Sequence, residues 1–80
     1  MDDDLKDFNV HMKHKLLVHK NKGGYDRLSL EELTKLLHGE IKELRDDIAA
    51  NNMVGIINEC ADVANYAMMI AMKVQNRRTL

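Results

Sequence analysis

The sequence predicts an all-α fold of three helices, completed by self-association into a helical bundle. Three observations predict it. The chain contains no proline, so nothing forbids long helices. Its apolar residues recur at spacings of three and four, the period of one helix face. Its breakers fall at two places, Gly23-Gly24 and Asn51-Asn52, and these divide the chain into three segments.

The first helix is expected from about Asp4 to Lys22. Leu5, Phe8, Met12 and Leu16 step by three, four and four and form its apolar face. Gly23-Gly24 then ends it, because glycine enters the left-handed turn at a helix terminus without a Cβ penalty. Ser29 opens the second helix. Ser29-Leu-Glu-Glu32 is a capping box, in which the hydroxyl accepts from a first-turn N–H and Glu32 reaches back to the Ser29 N–H. That helix should run to about Ala50, with Leu30, Leu33, Leu37, Ile41, Leu44 and Ile48 as its stripe. The third should run from about Met53 to Gln75. Short connections in a helical bundle make neighbouring helices antiparallel.

Eighty residues form one domain at most, which we take to span 1–80. A chain this short buries a modest share of its surface. Cys60 is its single cysteine, so neither a disulfide framework nor a zinc pattern reinforces it. The third helix is apolar almost all round, which calls for a central position or a partner. A homodimer or homotetramer is therefore expected. The net charge of −1 gives no bias toward nucleic acid. The apolar run 63–72 is too short to cross a bilayer, and the acidic N-terminus is unlike a signal peptide. These features and the lone thiol point to a cytoplasmic protein with no membrane partner.

Carboxylates carry the functional signal. Glu40-x-x-Glu43 and Glu59-x-x-Asp62 each place two acids on neighbouring positions of one helix face. At 100° per residue, Glu40 falls roughly 50° from the centre of the second helix's apolar stripe, and Glu43 at its edge. From Ile48 to Met72 the charged residues are Glu59 and Asp62 alone, with no Lys or Arg. Buried acids need a bound cation, a proton, or a Lys or Arg from the first helix or another subunit. Glu59, Asp62, Asn65 and Tyr66 share one sector of the third helix, a natural cleft floor. Four acids across one helix seam suit a hard divalent cation such as Mg2+. The competing reading is an ion-pair network in a non-catalytic helical module for oligomerisation, nucleotide binding or regulation. His11 and His14 share a face, but a third zinc ligand is missing there. Met53, Met68, Met69 and Met72 read as core and subunit contacts, and Cys60 as a small buried hydrophobe.

EIKE at 40–43, ECAD at 59–62 and the upstream turn Asn21-Lys-Gly-Gly-Tyr25 together resemble the MazG-like all-α nucleoside triphosphate pyrophosphohydrolases. The resemblance extends over residues 8–74. It implies hydrolysis of a (d)NTP to the monophosphate and pyrophosphate. It further implies Glu40, Glu43, Glu59 and Asp62 as ligands of Mg2+, with Mn2+ as a substitute. Glu40 is the candidate base, since it sits deepest in the apolar arc, where a carboxyl pKa rises. Lys22 is placed to meet phosphate oxygens; Tyr25 either stacks on a base, where relatives carry Trp, or packs beside the turn; Asn65 either binds sugar or base or makes a helix–helix hydrogen bond.

Overall fold

In the computed structural model, which describes residues 1–19 and 25–78, three helices occur in the order the sequence predicts, and no strand is found among the described residues. Helix α1 spans Asp2–His19, α2 spans Leu30–Ala49 and α3 spans Met53–Arg78, with a short 3-10 turn at Tyr25–Arg27. The Gly23-Gly24 breaker and Lys22 lie outside the described residues. No described helix is long and apolar enough to cross a membrane.

The start of α2 is the expected capping box. The Ser29 hydroxyl accepts from the Glu32 N–H at 3.0 Å, and Glu32 Oε1 accepts from the Ser29 N–H at 3.0 Å. The hydrogen bond from the Ser29 N–H holds the exposed Glu32 carboxyl below its ordinary pKa.

The turn into α3 pairs several of the terminal backbone groups of both helices. Asn51 adopts φ 53°, the left-handed conformation that asparagine tolerates better than most residues. Its N–H then reaches the Ile48 carbonyl at 3.1 Å, and the Asn52 N–H reaches the Asp47 carbonyl at 2.9 Å, closing a Schellman motif. Asn52 next caps α3, its Oδ1 accepting from the Gly55 N–H at 3.1 Å. A side chain at Gly55 would press on this arrangement, since a Cβ there would lie 2.6 Å from Asp47 Oδ2.

Helix α3 is central and packs against both other helices. Asp47 meets Gly55, while Glu40 and Glu43 meet Glu59, so α2 and α3 run antiparallel. On another side, Phe8 and His11 of α1 lie beside Ile56, Ile57 and Cys60, and Met12 reaches Asn65 further along. Helices α1 and α3 therefore run in the same general sense. Among the described residues the fully buried apolar ones are Leu33 and Ala61, while Leu37 and Leu44 are half-buried. The predicted stripes are only partly covered: Leu5 of α1 and Ile41 and Ile48 of α2 remain exposed. They occupy the apolar period but have too little of this chain against them.

Candidate metal centre

Antiparallel pairing brings the acids of α2 opposite those of α3. Oxygens of Glu40, Glu43 and Glu59 lie within 4.8 Å of one another. Glu40 and Glu59 are half-buried, and Glu43 stands at the exposed rim, as its place at the edge of the apolar stripe implies. One oxygen each of Glu40 and Glu59 is shut off from solvent with no hydrogen-bond partner. Ionised carboxylates are acceptors only, so facing each other they require a proton or a cation between them.

The electrostatics express the same need. Burial, then proton sharing with Glu59 and Glu43 and the nearby charge of Asp62, pushes the Glu40 carboxyl up to about 9 from its ordinary 4.5. For Glu59 the hydrogen bond with Glu40 acts downward, but burial and the neighbouring Glu43 and Asp62 outweigh it, and the net shift is upward. Tyr66, from the same sector of α3, is also raised, first by burial and then by the charges of Glu40, Asp62 and Glu43. Its phenol therefore faces the acid cluster as a neutral hydrogen-bonding group.

Asp62 has a different environment from the other three. It is buried, and its Oδ2 lies 3.3 Å from Lys15 Nζ of α1. Of the ways to neutralise this acid, the structure uses a lysine of the first helix. Lys15 lies one residue from Leu16 and three from Met12, within the flank of the α1 apolar face, so periodicity contains a signal for its inward position. Asp62 remains close enough for its charge to raise Glu40 and Glu59.

Asn65 is 3% exposed, and its amide nitrogen donates to the Met12 carbonyl at 3.0 Å. Its Oδ1 is buried and accepts nothing. Half of this amide thus ties α3 to α1, and the other half is left for a donor. Tyr25 lies in the 3-10 turn with its hydroxyl 3.5 Å from Asn76 Nδ2, and Lys73 Nζ donates to the Asp26 carbonyl at 3.2 Å. These contacts hold the turn against the C-terminal part of α3. About 21 Å of helix rise separates Asn76 from Asp62, so the single chain does not bring Tyr25 to the acids.

No protein-family model, curated protein or solved structure matches this chain.

The donor set fits a hard divalent cation. All candidate ligands are carboxylate oxygens, two of them lack any partner, and the rim is open at Glu43.

Proposed function

We propose that the chain is a Mg2+-dependent nucleoside triphosphate pyrophosphohydrolase that cleaves a (d)NTP to the monophosphate and pyrophosphate. The observation that supports this reading is the convergence of Glu40, Glu43 and Glu59 within 4.8 Å, with buried unpartnered oxygens on two of them. The order and spacing of the two acid pairs and their resemblance to the MazG-like enzymes supply the substrate class.

Glu40, Glu43 and Glu59 would hold the cation, with Asp62 beside them. A bound divalent cation neutralises phosphate charge that carboxylates alone would repel. Glu40 lies deepest in the apolar arc and serves as the base that takes a proton from the attacking water. Asn65 Oδ1 accepts a hydrogen bond from the sugar or base. We also propose a second copy of the chain as its protein partner, in the cytoplasm.

The Lys15–Asp62 ion pair favours a second reading, a non-catalytic helical module that oligomerises or binds nucleotide, because here the protein neutralises one of its own acids. A panel of dNTPs and NTPs, each with Mg2+ and assayed for pyrophosphate and monophosphate, separates the two. Pyrophosphate release that disappears in Glu59→Gln is expected. Absence of turnover with every member of the panel would leave the second reading.

A further inference from the structure

Helix α3 has two unlike sides. One carries Glu59, Asp62, Asn65 and Tyr66. On another, Met53, Ile57, Cys60, Ala64, Ala67, Ala71 and Val74 follow one another at alternating steps of four and three. This 3.5-residue period is the seam along which two helices stay in register. The seam contains no charged residue over its whole length. Most of it is left open by α1 and α2: Met53, Ile57, Ala67, Ala71 and Val74 are exposed, as is Met68 at its edge, while Cys60 and Ala64 are half-buried and α1 borders the seam at Ile57 and Cys60.

The chain also has more surface than a folded monomer of its size. Its accessible area is 6251 Å² for 9.2 kDa, where the scaling for monomeric proteins gives about 4,900 Å². Its radius of gyration is 13.5 Å, against about 11.6 Å for a compact domain of this length. The surplus, roughly 1,300 Å², exceeds the ~800 Å² per partner of a standard specific interface.

We propose that this face is a homodimer interface in which two α3 helices pair antiparallel about Ala64. Symmetry and charge select the arrangement. Antiparallel pairing sets Cys60 opposite Ala67 of the second copy and Ile57 opposite its Ala71, so small residues allow close approach at the centre and Met53 meets Val74 at the ends. It also sets the two α3 macrodipoles head to tail, whereas parallel pairing would place like helix ends together. A groove of about 330 Å³ adjoins the seam, with Phe8, Ile56, Ile57 and Cys60 as its floor and Asp4 and Asp7 among its lining residues. Met68 lies on the same side of α3 as Ile57. A two-fold axis perpendicular to the helices keeps that side common to both copies, so Met68 of the second copy enters this groove. The proposal does not depend on the enzymatic reading, because it is tested by mass and covalent linkage alone.

Sedimentation equilibrium on the full chain at micromolar concentration should give at least twice the 9.2 kDa chain mass. Ala67→Glu, a substitution at an exposed position of the single chain, should shift the weight-average mass toward one chain. Ala67→Cys, with native Cys60 retained, should yield a covalent dimer under mild copper-phenanthroline oxidation, while the unmodified chain should not. A monomeric unmodified chain would overturn the proposal. So would ready Cys60–Cys60 linkage, which signals parallel pairing, or a dimer in which Ala67→Cys gives no linkage.

Discussion

Lys15 of α1 and Asp62 of α3 form an ion pair at 3.3 Å across the helix seam, with both side chains largely withdrawn from solvent. The pair gives α1 a role beyond covering apolar surface. Asp62 lies beside the three converging glutamates, so the lysine that anchors the helix also places a positive charge next to the acid bordering the proposed cation site. Asn65, one turn on, ties the same two helices through the Met12 carbonyl. The wall of the site and the α1–α3 contact therefore share residues.

Lys15→Met should destabilise the protein. Removing one member of a fully buried pair costs about 3–5 kcal/mol; partial exposure here reduces the expectation to about 2 kcal/mol. For a domain of this size that is a fall in Tm on the order of 10 °C. Thermal melts by circular dichroism measure it. The double variant Lys15→Met/Asp62→Leu should recover most of the loss, since no lone charge is left behind. A double variant no more stable than the single one would mean that the ion pair is not the cause.

Much of this architecture was legible in the residues. Ser29 and Glu32 marked the start of α2, and the absence of proline with the two breakers set the helix count. The carboxylate pairs, at i and i+3, led to the faces that meet. The partner of Asp62 was harder, because pairing between α1 and α3 depends on a crossing geometry that periodicity leaves open. Leu5, Ile41 and Ile48 carried the core signal and yet are exposed. Apolar period reports which face seeks burial, and it is silent on whether the same chain supplies the cover.

The capping box gives a second test, remote from the acids. Ser29→Ala removes the acceptor for the Glu32 N–H and the reciprocal geometry of Glu32, and should cost about 1 kcal/mol. Ser29→Gly should cost only a few tenths, because glycine exposes the same N–H to water. Urea melts resolve that difference. Equal losses for the two would show that the side-chain bond contributes little.

Stability should depend on pH in a direction set by Glu40. Its folded-state pKa is raised from 4.5 to about 9, so the folded chain keeps a proton that the unfolded chain releases. The stabilisation tied to that proton is complete below about pH 4.5 and is lost as pH rises through 9. With EDTA present, Tm should therefore decline from pH 5 to pH 9, with Glu59 adding to the trend in the same sense. Millimolar Mg2+ should flatten the slope, because a cation replaces the proton between the carboxylates. A Tm in EDTA that is constant or rises across this range would contradict the arrangement of the cluster.

Glu59→Gln separates a cation site from a structural network. The substitution removes one of the facing carboxylates, and its amide can donate to the buried Glu40 oxygen that lacks a partner. Without metal the variant should be about as stable as the parent chain, since the amide can keep a hydrogen bond with Glu40 while one partly buried charge is lost. The Mg2+-dependent rise in Tm should vanish, since binding stabilises only in proportion to affinity. Pyrophosphate release should fall by more than ~100-fold, beyond what loss of an outer partner of a metal site costs. In a structural network the pattern reverses: the variant loses stability in EDTA, and Mg2+ has no effect on either protein. Melts of both proteins with and without Mg2+ distinguish the two cases before any substrate is known.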